Sequence, residues 1–199
     1  MATLTTLTLD ADGTIGANVV YDAGGGTAPP FYTHCNDDPD SSSADYLRND
    51  NSNTSTTAWL SLTDVDADFD SMDTLQIRVD GEVPFAIGGA GTLTARIYDA
   101  DNDTTNPLTA EVTILAQGVD GVRAVKNVAF ASLTGTKAQW NSAHIRFTWG
   151  GGLSGGQELR LFGMDFDGTY TAAAGGGGQK KIPSMTDSLG DGTGFAFTL

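Results

Sequence analysis

The residues with the clearest capacity for chemistry are the alternating aspartates Asp64, Asp66, Asp68 and Asp70. A hard cation such as calcium needs several oxygens converging from a short turn, and carboxylates at every second position begin such a loop. The rest of that loop is missing: its sixth position is Phe69 instead of glycine, and its twelfth is Leu75 instead of glutamate. An acidic surface turn ahead of a strand therefore outweighs a metal site, and no cofactor is expected. Asp99, Asp101 and Asp103 repeat the pattern with the same balance, and Asp165-Phe166-Asp167-Gly168 reads as a strand end and turn.

Nucleophilic catalysis has little to work with. Cys35 is the single cysteine, and the histidines are His34 and His144. Neighbouring side chains in an extended segment point to opposite sides, so His34 and Cys35 do not form a thiolate–imidazole pair. Cys35 reads as a partly buried loop thiol, with no second cysteine for a disulfide within the chain. Zinc needs three or four His and Cys ligands, more than one locality here supplies. Carboxylate pairs must arise by chance among 25 acidic residues, and most of these lie in turns, where solvation explains them. Gly150-Gly151-Gly152 and Gly155-Gly156 precede no helix that could cradle a phosphate, and read as a long hairpin turn. Trp59 and Trp149 sit in alternating strands and read as core. Trp140 lies in a connecting turn, either exposed or plugging one end of the fold. The expectation is that the chain is not an enzyme.

The elements around these residues are strands. Leu75, Ile77 and Val79 alternate with Thr74, Gln76 and Arg78; Leu93, Ala95 and Ile97 repeat the pattern, as do Ile145, Phe147 and Trp149. This two-residue period marks strands with one buried face. Asp12-Gly13, Asp80-Gly81 and Asp120-Gly121 read as turns between them. Residues 3–9 and 15–21 read as two early strands, and Gly135 to Ser142 has room for one helical turn. Without helices to cover it, a sheet must pack on a second sheet. The expected fold is all-β, a two-sheet antiparallel sandwich of jelly-roll type with a flexible C-terminal arm. The sandwich takes residues 1–171, with a long surface loop over 23–56 interrupted by a short strand at Tyr46-Leu47-Arg48.

Residues 172–178, with four consecutive glycines, read as a linker. Beyond it, residues 179–199 read as a docking arm whose apolar residues are Ile182, Pro183, Met185, Phe195, Phe197 and Leu199. The ending Phe195-Ala196-Phe197-Thr198-Leu199 alternates like a strand and is too small to fold alone. With 10 basic residues against 25 acidic ones the net charge is −15, which argues against nucleic acid and anionic lipid as partners. No stretch reaches the roughly 18–20 apolar residues of a membrane span, and the first residues do not form a signal peptide, so synthesis in a reducing cytoplasm is expected.

Several blocks carry a resemblance. Tyr46-Leu47-Arg48-Asn49-Asp50, the stretch Leu62 to Val79, Thr92 to Asp99, Leu133 to Trp140 and His144 to Tyr170 resemble virion structural proteins of tailed bacteriophages over roughly residues 44–170. Jelly-roll capsid decoration (cement) proteins are similar in size and form. The resemblance implies a sandwich without enzymatic activity, carried on the capsid surface of the virion and bound to the major capsid protein. It also implies a homo-oligomer, with a trimer favoured. A tail, baseplate or fibre-associated protein, with carbohydrate binding as one option, is the alternative. The resemblance stops short of the arm from Gln179.

Overall fold

The two-residue alternation becomes strand wherever one side of the chain can be buried. A computed structural model of the chain describes residues 1–5, 7–22, 31–35, 39, 45–49, 55–84, 90–150 and 158–174. Its strands are β1 (Ala2–Thr3), β2 (Leu9–Ile15), β3 (Val19–Asp22), β4 (Tyr46–Asn49), β5 (Thr56–Leu62) and β6 (Phe69–Glu82). They continue as β7 (Thr92–Tyr98), β8 (Val112–Ala116), β9 (Ala124–Ala129), β10 (His144–Trp149) and β11 (Arg160–Ala172). One helical turn, α1 (Lys137–Trp140), starts at a capping box in which Thr136 and Gln139 satisfy each other's backbone.

The strands form two antiparallel sheets. One has the order β3-β4-β11-β6-β9, with β1 also pairing to β11; the other has the order β2-β5-β10-β7-β8. The eight strands from β4 to β11 thus divide as 4-11-6-9 facing 5-10-7-8. This is the strand order of a jelly roll, with β3 and β2 each extending one sheet. Strand β11 is the spine of its sheet: β6 runs along one side, while β4 at Leu161 and β1 at Thr169 and Tyr170 share the other.

The core lies between the sheets. Ala58, Leu60, Leu93, Ala95, Ile97, Ile145, Phe147 and Trp149 meet Leu47, Leu75, Ile77, Val79, Leu161 and Met164 in one buried cluster. Each such aliphatic or aromatic side chain contributes roughly 1.5–3 kcal/mol by leaving water.

Three local readings of the sequence change. Asp12-Gly13, Asp80-Gly81 and Asp167-Gly168 are not turns but lie inside β2, β6 and β11. Their glycines serve close approach: a Cβ on Gly168 would stand 2.5 Å from the Thr74 carbonyl oxygen, and one on Gly81 2.7 Å from Leu115. Residues 3–9 and 15–21 are not two strands, since pairing covers only Ala2–Thr3 before β2, although Leu4 and Leu7 are buried. The glycine-rich link after Trp149 is not a hairpin turn, because β10 and β11 belong to different sheets. Trp59 is buried, as expected of a core residue, but outside the cluster between the sheets. It stands opposite Arg146, on the outward side of β5, and packs on Tyr98 at 5.0 Å between ring centres. The chain after β7 folds across that side: Asp101 accepts hydrogen bonds from the N–H and Oγ1 of Thr14 on β2, both at 2.9 Å.

Candidate functional site

The Asp64–Asp70 turn sits where β6 begins, at the end of the sandwich plugged by Trp140. That indole is fully buried, donates to the Thr134 carbonyl at 3.0 Å, and packs near Phe69, which in turn packs near Tyr170. The aspartates are spread around this plug. Asp66 accepts from the Thr5 N–H at 3.2 Å and the Thr5 hydroxyl at 2.8 Å, pinning the chain just after β1. Asp68 accepts from the Tyr170 phenol at 2.6 Å, pinning the end of β11. That bond, reinforced by burial, pushes the Tyr170 pKa up to about 12. Asp64 and Asp70 point to solvent-exposed positions. Among the described residues no group of three or more His, Cys, Asp or Glu is placed to hold an ion.

The second aspartate run is also spent on the fold. Asp99 accepts from Gln139 at 3.2 Å, and Asp103 closes a turn onto the Thr105 N–H at 2.8 Å. Bonds from the Thr105 side chain and backbone hold the Asp103 carboxyl below its usual range.

Cys35 is fully buried beneath the single 3-10 turn Phe31–His34. Its Sγ lies 3.7 Å from the carbonyls of Phe31 and Tyr32, and its own carbonyl accepts from Met164 of β11 at 2.8 Å. Asp12 holds the turn by accepting from the N–H groups of Phe31 and Tyr32 at 2.9 and 2.7 Å. A thiol so enclosed is a packing group. His144 opens β10 with Nδ1 3.0 Å from the Ser142 carbonyl.

The outward faces of the sheets carry arginines laid over aromatic rings. Arg123 stacks 3.8 Å from the Phe162 ring centre and bonds the buried Asp80 through Nε at 2.8 Å. Arg160 covers Tyr46, and Arg146 lies over both Trp59 and Tyr98. These contacts bury rings that the inter-sheet core has no room for. Between β6 and β11 the outer face is a ladder of polar pairs: Thr171 with Asp73, Thr74 with Thr169, Gln76 with Asp167, and Arg78 with Asp165.

Among the described residues, exposed apolar side chains gather along the β9 edge, which is open as far as Ala129; beyond it the Ala131 carbonyl accepts from the Ala110 N–H at 2.7 Å. Of the four large apolar residues exposed among those described, three fall within seven positions: Val119 (76%), Val122 (80%) and Val125 (40%). They occupy the turn into β9 and its first residues. Where β9 ends, a groove of about 350 Å³ runs over Leu75, Gly168 and Ala129, walled by Thr74, Gln76, Asp167 and Thr169. No protein-family model matches this chain, and no curated protein matches it either.

The arm residues Ile182, Pro183, Met185, Phe195, Phe197 and Leu199 lie outside the described residues. Ala172, read as the first linker residue, is the last of β11, and the Ala173 N–H bonds the Asp68 carbonyl at 2.7 Å. Sequence reasoning missed the valines and the arginine-covered rings. The valines follow Gln117-Gly118 and flank Asp120-Gly121 with no alternation to flag them, while each arginine lies far along the chain from its ring.

Proposed function

We propose that this chain is a structural protein of a tailed-bacteriophage virion, and within that class a decoration (cement) protein. It binds the outer surface of the capsid and stabilises the shell. The observation that carries the reading is the strand order 4-11-6-9 facing 5-10-7-8. Those eight strands span residues 46–172, nearly the stretch of 44–170 over which the sequence resembles virion structural proteins of tailed bacteriophages. Three further features support it. The acidic side chains nearest to a metal-loop pattern are employed in holding strands together. A net charge of −15 suits a surface turned away from the packaged genome. An apolar edge and an apolar arm offer contact area to neighbours.

The major capsid protein is the partner, and the chain assembles as a homo-oligomer, with a trimer favoured, after synthesis in the host cytoplasm. Bridging adjacent capsomers adds contact where internal pressure would part them, and several weak contacts held together bind with avidity. The carbohydrate-binding alternative loses its most obvious platform, because Trp59, Trp140 and Trp149 are at most 2% exposed.

Removing residues 179–199 tests the docking role. The expected result is a sandwich that still folds by circular dichroism but no longer occupies particles. Unchanged occupancy would remove the arm from the mechanism.

A further inference from the structure

Strand β9 lacks most of the devices that keep a sheet edge from pairing. It has six residues without proline, its register with β6 runs from Gln76↔Ala129 to Gly81↔Ala124 without a bulge, and its one charge is Lys126. Lys126 points inward, where Nζ bonds Asp120 at 2.8 Å and the Ile114 carbonyl at 3.1 Å. An added strand would leave that charge paired. The Phe130 N–H donates to Leu75, so by alternation Val128, Lys126 and Ala124 bond β6. The backbone groups of Val125, Asn127 and Ala129 therefore face the open edge. Their side chains project to the outer face, beside the groove at one end and the exposed valines at the other.

We propose that, in the free protein, residues 195–199 of the same chain dock on this edge as an antiparallel strand. Three observations name this occupant. The first is direction. Strand β11 runs parallel to β9 and ends opposite Phe69, beyond the Ala129 end of β9, so a chain doubling back from Ala172 meets β9 in antiparallel sense.

The second is length. Seven residues of β6 separate Phe69 from Gln76, about 23 Å, and three strand spacings, from β11 past β6 and β9 to the docked strand, add about 14 Å sideways, a span of roughly 27 Å. A coil of 20 residues, the number from 175 to 194, has a root-mean-square reach of about 25 Å. A linker matched to its span gives the highest effective concentration, which favours the chain's own segment over a second copy's.

The third is chemistry. Setting Phe195 opposite Ala129 brings Phe197 opposite Asn127 and Leu199 opposite Val125. All three side chains then lie on the outer face, with Phe195 at the groove over Gly168 and Leu199 against an exposed valine. Such a route would start at the acidic end of the fold, where Asp68 bonds Tyr170 and Ala173, and opposite charge would suit Lys180-Lys181 there.

Stowage of this kind keeps the apolar segment and the open edge from pairing with other chains before assembly. It goes beyond the virion reading and is tested without particles. Backbone amide exchange is followed by NMR in the full chain and in one lacking residues 192–199. The expected result is exchange at Val125, Asn127 and Ala129 about tenfold or more slower in the full chain, independent of protein concentration. The full-length double variant Phe195→Asp/Phe197→Asp should lose that protection while other β-strand amides keep theirs. Equal exchange in the full and shortened chains overturns the proposal. Protection that grows with protein concentration overturns it too, in favour of pairing between copies. Either failure leaves the particle-binding test of the arm untouched.

Discussion

A phenol bonded to a carboxylate holds its proton, because ionising it would set two negative charges side by side. Tyr170 is in that position against Asp68, with its pKa raised from 10.0 to about 12. A raised native value means the bond stabilises the fold fully below pH 10 and is lost as pH climbs towards 12. Alkaline titration followed by tyrosinate absorbance should show one late-ionising tyrosine that disappears in Tyr170→Phe. That variant should also lose the part of the alkaline stability change lying between pH 10 and 12. If the phenol lost in Tyr170→Phe ionises near pH 10 instead, the Asp68 contact is refuted. The aspartate run itself was plain in the sequence. Its partners were not, since Thr5 and Tyr170 lie 61 and 102 residues from the carboxylates they bond.

Strand existence followed from alternation for β6, β7 and β10, because a two-residue period forces apolar groups to one side. Alternation did not say what covers the other side. Trp59 therefore read as core, although it is the loop after β7 and Arg146 that bury it. Nor could it separate an Asp-Gly turn from an Asp-Gly pair inside a strand. That distinction rests on a neighbour's backbone, as at Gly168, where β6 leaves no room for a Cβ. Gly168→Ala should cost about 1–3 kcal/mol through this overpacking. For a domain of this size the melting temperature should fall by roughly 2–12 °C, readable by calorimetry. An unchanged melting temperature would mean that β6 and β11 are further apart than described.

The order of strands was expected from fold class but could not be derived strand by strand. It is set by pairings such as Leu47 with Leu161, whose members say nothing about one another locally. Composition did announce the charge. Repulsion among copies at net −15 adds to the protection of the apolar edge at neutral pH, and it fades towards the isoelectric point near 4.1. Light scattering at low salt should rise as pH falls from 7 to about 4 and reverse on return. Constant scattering would assign the protection of β9 to something other than charge.

The chain towards the arm continues from the longest-paired strand couple of the fold, since β11 runs to Ala172 with β6 bonded along nearly its whole length. A pull on the arm along the strand axis therefore loads those lateral bonds in shear, all at once, instead of peeling them open singly. Tension from whatever holds the arm passes into the middle of one sheet, with β1, β4 and β6 sharing it.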